Sequence, residues 1–181
     1  MAILSKYVRY KREEKFRPYI KEKVLDIGCG HSGTIQYLNP KNYYATEYLK
    51  SFVESLKHHF PKAHFYRKDF EKDTLKLPVK VDSVIMSAFL EHISNYENPI
   101  KESLKNLKDD GRIIITTPSR FGHKVHAIGA NLGLFSKEAK EDHKSILTKK
   151  DFMRIAIKYN LKMEKFEYFE FFCNQLVVYK K

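Results

Sequence analysis

The sequence predicts an α/β three-layer sandwich, in which a seven-stranded, mostly parallel sheet carries helices on both faces. Three observations point to it. Short apolar runs alternate with helical patterns over residues 24–117. The first run ends in the turn Gly28-Cys29-Gly30-His31-Ser32-Gly33. Two β-rich stretches close the chain as an antiparallel hairpin. Ligands of such a sheet lie in the crevice beyond the carboxyl ends of its strands, so the chemistry is expected just after each strand.

The elements follow in order. Residues 6–20 read as a basic helix, with Ile3, Leu4, Tyr7 and Val8 giving it an apolar face and Pro18 marking its end or a kink. Residues 24–27 are apolar, too short for a helix and bounded by turn signals, which makes them a buried strand. Residues 34–38 form a short helix ended by Asn39-Pro40, and residues 43–46 form a second strand that delivers Glu47. Phe52, Leu56 and Phe60, spaced by four, lie on one face of a helix over residues 49–60. Residues 63–67 are a third strand, followed by Asp69-Phe70, and residues 81–87 are a fourth. The next helix has Asn98 as its cap, Pro99 at its first position, Ile100, Leu104 and Leu107 on its buried face, and Gly111 at its close. Residues 112–117 are the fifth strand. Thr148-Lys149-Lys150-Asp151 has the form of a capping box, opening a helix with Phe152, Ile155, Ala156 and Tyr159 on one face. Residues 162–169 and 172–179 are the closing strands.

A chain of 181 residues suits one compact core that buries roughly 70% of the unfolded surface without a disulfide or metal. Residues 1–23 are expected to be a basic helical extension and residues 24–181 the domain proper. Cys29 and Cys173 show no paired ligand spacing, so neither a disulfide framework nor a metal site is expected. Residues 1–12 lack the apolar core of a signal peptide and no run is long enough to span a membrane, so a cytoplasmic location is expected. Lysine and arginine exceed the acids by 34 to 22, a net charge of +12. That excess favours anionic company, whether nucleic acid, an anionic membrane surface or a phosphorylated substrate, and is equally consistent with a solvated lysine-rich surface.

The glycine turn follows a strand and opens a helix, a geometry that can bring bare backbone N–H groups up to an anionic ligand. Its spacing also fits the dinucleotide pattern G-x-G-x-x-G. Glu47, at the end of the second strand, is placed to accept both hydroxyls of a ribose. On these residues alone, both NAD and S-adenosylmethionine remain open.

The run Val24-Leu25-Asp26-Ile27-Gly28-Cys29-Gly30 resembles the first motif of the class I, Rossmann-like S-adenosylmethionine-dependent methyltransferases, and the resemblance extends over residues 24–180. It implies that Asp26 orients the turn and the methionine end of S-adenosylmethionine, and that Glu47 binds the ribose. Asp69 and Phe70 resemble the pair that reads adenine, a carboxylate for the exocyclic amine and an aromatic for the ring face. Leu90-Glu91-His92 resembles the segment lining the methionine portion. The implied cofactor contacts are Asp26, Gly28, Cys29, Gly30, Glu47, Tyr48, Asp69, Phe70, Ser87 and Leu90. Tyr48 either stacks on adenine or merely begins the next helix. In this family the sheet carries one antiparallel strand near its C-terminal edge, as the closing hairpin suggests.

Methyl transfer from a sulfonium demands alignment and water exclusion more than a triad. Residues 119–147 lie where this fold builds a substrate lid and carry His123, His126 and Asp142-His143. His143 resembles a histidine found before a Thr-initiated helix in small-molecule methyltransferases, and is the first candidate for base or substrate contact. His92 is the second. His143 is also readable as a histidine hydrogen-bonded to the lid backbone, and His92 as one that only shapes the cofactor pocket. The segment Met86-Ser87-Ala88-Phe89-Leu90-Glu91-His92 lacks the Asn/Asp-Pro-Pro-aromatic signature of enzymes that methylate base amines, and no carboxylate cluster marks a magnesium site. The expected acceptor is a small molecule, anionic or lipid-linked, with no metal. RNA is the alternative, through Lys6, Arg9, Lys11, Arg12, Lys15 and Arg17 with Tyr7, Tyr10, Phe16 and Tyr19 interleaved. A non-catalytic S-adenosylmethionine-binding module is the third reading, and peripheral membrane contact stays open.

Overall fold

The computed structural model describes residues 3–31, 33–131 and 144–181. Its seven strands are β1 (Val24–Ile27), β2 (Tyr43–Glu47), β3 (His64–Arg67), β4 (Val81–Ser87), β5 (Leu107–Pro118), β6 (Lys162–Phe169) and β7 (Asn174–Lys180). They form one sheet in the order β3-β2-β1-β4-β5-β7-β6. All pairings among β1 to β5 are parallel, whereas β7 runs antiparallel to both β5 and β6. The chain winds outward from β1 to β3, then restarts on the other side at β4. A topological switch point therefore opens between β1 and β4, where sheets of this kind hold their ligands.

Side-chain alternation sorts the core into two layers. One face of the sheet packs Val24, Tyr43, Ala45, Ile85, Ile114, Leu176 and Val178 against Phe16 of α1 (Ile3–Phe16) and Val53 and Leu56 of α2 (Lys50–His59). The other packs Leu25, Val84, Met86, Ile113, Ile115 and Val177 against Ile100 of α3 (Glu97–Asn106) and Phe152 and Ile155 of α5 (Lys149–Lys158). Between β5 and α5 lies α4 (Arg120–Asn131). Phe16 is almost wholly buried, so α1 is packed onto the sheet rather than projecting from it. The capping box before α5 is present: Thr148 donates its N–H and its hydroxyl to the Asp151 carboxylate at 2.9 and 2.6 Å.

Several local expectations are corrected. α2 turns Val53 and Leu56 inward, while Phe52 sits half-buried with its ring edge-on to His31. α3 starts at Glu97, one residue before the expected cap. Asn98 instead donates to the carbonyls of Phe70 and Asp73, tying the helix start to the loop after β3. α3 also ends at Asn106 rather than near Gly111, because Leu107 already pairs with Val81 in the sheet. Gly111 lies within β5, where a Cβ would collide with the Leu107 side chain. β7 begins at Asn174, since Glu170, Phe171 and Phe172 adopt left-handed backbone angles and form the turn.

Candidate active site

The ends of β1 and β2 lock the glycine turn together. Gly28 and Cys29 donate their N–H groups to the Thr46 carbonyl at 3.0 and 3.1 Å, and Gly30 donates to Glu47 Oε2 at 3.1 Å. Glu47 Oε1 accepts from the N–H groups of Tyr48 and Leu49 at 2.8 and 3.2 Å. The sequence reading expected bare amides here. The structure corrects it, because these three amides are satisfied inside the protein and do not form an anion cradle. Glu47 thereby becomes the residue that fixes the turn to β2.

Gly28 and Gly30 differ in what surrounds them. Both have positive φ, 69° and 52°. A Cβ on Gly28 would run into the Phe89 ring, whereas nothing lies within 4 Å of a Cβ on Gly30. Ala88, between β4 and Phe89, is held at φ 52°, a strained angle for a residue with a side chain. The surface over Gly30 and beside Glu47 is therefore open, and the surface over Gly28 is covered.

Asp26 is 3% exposed and accepts a hydrogen bond from the Tyr43 hydroxyl at 2.7 Å. Burial pushes its carboxyl up to about 6. Hydrogen bonds from Tyr43 and Thr34 oppose that rise, and the charges of Glu13 and Glu47 add to it. Glu13, from α1, lies where a Cβ on Gly33 would stand, so the first helix closes over the turn. Sequence reasoning missed Tyr43, Glu13 and Phe89. No local pattern marks them, since each is an ordinary core or helix residue until the fold sets it beside the turn.

The remaining predicted contacts are more dispersed. Tyr48 is 57% exposed, next to Glu47. Asp69 accepts from the Glu71 N–H at 3.0 Å and pairs with Lys72 at 3.3 Å. Phe70 is 4% exposed and lies edge-on to Phe89 within the core. The Ser87 hydroxyl is 3.0 Å from that of Thr116, and Leu90 is fully buried. Cys29 and His92 are half-buried, His92 closing the short helical turn Leu90–His92. His143 lies outside the described residues, as do all of residues 132–143; residues 120–131 are helical and residues 144–148 carry no regular secondary structure.

A second polar group gathers at the ends of β4, β5 and β7. Glu91 is buried and accepts from the Thr117 hydroxyl at 3.0 Å; burial drives its carboxyl upward against the opposing charge of Arg12. Arg12, from α1, donates through Nε and Nη2 to the Asn174 side-chain carbonyl at 3.3 and 3.2 Å. Burial pulls its guanidinium down, while Glu91 and Glu170 support the charge. Among the described residues, no group of three or more histidines, cysteines and acids could hold a metal ion. No helix among them is long and apolar enough to cross a membrane.

The family described as methyltransferase domain matches residues 5–165. No protein of curated function matches in sequence. Solved structures share the fold at low identity. An S-adenosylmethionine-dependent methyltransferase from Mesorhizobium loti is 13% identical, with TM-score 0.74, over 94% of this chain and 98% of its own. One from Thermotoga maritima is 14% identical, with TM-score 0.72, over 99% and 96%. Magnesium protoporphyrin IX methyltransferase from Synechocystis, solved with bound S-adenosylhomocysteine, is 15% identical, with TM-score 0.64, over 97% and 82%. The chain belongs to the methyltransferase domain family. Its fold is the Rossmann-like class I fold of S-adenosylmethionine-dependent methyltransferases.

Proposed function

We propose that this protein transfers a methyl group from S-adenosylmethionine to a small-molecule acceptor, anionic or lipid-linked. The observation that carries the cofactor choice is the state of the glycine turn. A dinucleotide needs free turn amides for its pyrophosphate, and here Gly28, Cys29 and Gly30 have already given theirs to Thr46 and Glu47. A ligand with a ribose and no phosphate needs only the open space over Gly30 and the Glu47 carboxylate beside it.

When bound, S-adenosylmethionine supplies a methyl carbon activated for in-line displacement. In this reading Glu47 accepts a ribose hydroxyl through the Oε2 lone pair that its three backbone donors leave over, and Tyr48 offers a ring at the adenine side. Asp69 and Phe70 mark the adenine end of the crevice. Asp26 holds the turn through Tyr43 and, with Ser87 and Leu90, borders the methionine end. Acceptor binding falls to the segment after β5, with His143 as the first candidate for base or substrate contact and His92 as the second. Residues 119–147 act as the lid, and residues 1–23 lead into the domain.

Thermal unfolding with S-adenosylhomocysteine and with NAD tests this reading. Ligand at about 100 times its dissociation constant contributes roughly 2.7 kcal/mol, a midpoint rise of about 5 to 10 °C for a chain of this size. A rise with NAD alone overturns the proposal. Glu47→Ala is expected to abolish most of the shift and Cys29→Ala to keep it; equal losses would move the ribose away from Glu47.

A further inference from the structure

The cations of the segment after β5 have no task in the cofactor site. Arg120, His123 and Lys124 stand three and four positions apart in the first turns of α4, a spacing that puts them on one face of the helix. With Lys144, Ser145 and Ile146 they line a pocket of about 530 Å³, a size that suits a small molecule. None of the six is acidic. Gly122 stands two positions from both Arg120 and Lys124 and therefore lies on the opposite side of the helix. It sits so close to the Cys173 carbonyl that no Cβ would fit, which sets α4 against the closing hairpin and leaves the cationic face to the pocket.

Both walls of the pocket are fixed to strand ends that border the crevice. On the α4 side, Ser119 follows β5 directly and donates its N–H to the Cys173 carbonyl at 2.9 Å; its hydroxyl accepts from the Gly122 N–H at 2.9 Å and its carbonyl from the His123 N–H at 2.9 Å. The opposite wall hangs on the turn after β4. Lys144 and Ser145 donate their N–H groups to the Glu91 carbonyl at 2.7 and 3.2 Å, and the Ser145 hydroxyl is 3.0 and 3.2 Å from the carbonyls of Leu90 and Ile93. Leu90 borders the methionine end in the reading proposed above. The pocket therefore adjoins the place where that reading delivers the methyl carbon.

The charges around the pocket are only partly balanced. Lys144 pairs with Glu71 at 3.1 Å, and Glu71 also accepts the Ser94 N–H at 2.8 Å. Arg120 and Lys124 are exposed and form no ion pair among the described residues. The Thr148 hydroxyl holds the Asp151 carboxyl below its ordinary value, with help from the Thr148 N–H and the charges of Arg154 and, least, Arg120. Asp151 thus belongs to its own helix start rather than to the pocket.

We infer that this pocket is the anion subsite of the acceptor, holding an oxyanionic group of close to two charges, a phosphoryl group or a pair of carboxylates. Two uncompensated cations with a third shared by Glu71 match such a group in charge, and a guanidinium fork beside ammonium groups suits its oxygens. A singly charged group leaves one cation unmatched. The inference gives the anionic acceptor proposed above a chemical class and, as an acceptor subsite, rests on that reading.

Calorimetric titration of the full-length protein with inorganic phosphate, malonate and acetate tests it, with S-adenosylhomocysteine present and ionic strength held constant. Phosphate or malonate is expected to bind saturably, and acetate about tenfold more weakly or less. Phosphate ahead of malonate assigns the phosphoryl group, and the reverse order assigns paired carboxylates. Arg120→Ala with Lys124→Ala is expected to lower the affinity for the better anion by about tenfold or more, and Lys144→Ala by about two- to threefold, because Glu71 already shares that charge. The thermal shift with S-adenosylhomocysteine is recorded for every protein and shows that each variant is folded. A retained shift with no saturable anion binding overturns the subsite and leaves the methyltransferase reading standing. Equal affinity in the wild type and the double-alanine variant also overturns it, since the binding is then spread over the basic surface. Saturable binding in a wild type that shows no shift overturns the acceptor role together with the reading it rests on.

Discussion

The two ends of the crevice are built in opposite ways. At the β1–β2 end, the glycine turn, Asp26, Tyr43 and Glu47 all come from residues 26–47, and backbone and side-chain hydrogen bonds among these residues hold them. At the β4–β5 end, the polar group is drawn from Arg12, Glu91, Thr117, Glu170 and Asn174, with 162 positions separating Arg12 from the Asn174 it contacts. The first end can be formed by local chain geometry once two strands pair. The second exists only when α1, the β4 loop and the closing hairpin are all in place. A local site tolerates change in the rest of the chain and is sensitive to change in its own turn, whereas an assembled site is sensitive to any element that delivers a side chain.

Phe16→Ala tests the assembled end most severely. Phe16 is 1% exposed and fastens α1 to the sheet, so its truncation is expected to cost about 3–5 kcal/mol, read by chemical denaturation. A loss below about 1 kcal/mol would mean that α1 is a loose extension and that Arg12 does not belong to the site. The local end is tested by Gly28→Ala beside Gly30→Ala. Both carry left-handed strain of about 1–2 kcal/mol, but only Gly28→Ala must also displace Phe89, for a total of about 2–4 kcal/mol. Equal destabilisation of the two variants would show that Phe89 is not a fixed cover.

Asp26→Asn gives an effect that depends on pH. Burial raises the Asp26 carboxyl from 3.8 to about 6 in the folded state. Folding therefore favours its protonated form: the contribution is fully present below pH 3.8, fades as pH rises through 6, and leaves the charged group destabilising at neutral pH. The asparagine variant without ligand is expected to be more stable than wild type by about 3 kcal/mol at pH 7, with the difference mostly gone near pH 4. Melting curves across that range check it. A difference that does not change with pH would place the Asp26 charge in better-solvated surroundings.

The comparison also explains what was legible beforehand. The seven strands, their hairpin and the helices carrying Ile100 and Phe152 were readable, because strand and helix periodicities are written in consecutive residues. The start of α3 was misplaced because Asn98 has a cap's chemistry but finds better acceptors in the carbonyls of Phe70 and Asp73. The free turn amides were misjudged for a similar reason: the sequence shows glycines but not the Thr46 carbonyl that waits beneath them.

By itself, the sequence determined the alternation of strand and helix, the sharp turn at Gly28 and Gly30, and the arrival of a carboxylate at Glu47. Each follows from residue type and local spacing. Only the tertiary structure decided that Phe89 covers one glycine and leaves the other open, that Arg12 reaches Asn174, and that two phenylalanines stand exposed at the last turn. These depend on which distant segments share a surface, and that is set by the order in which the strands join the sheet.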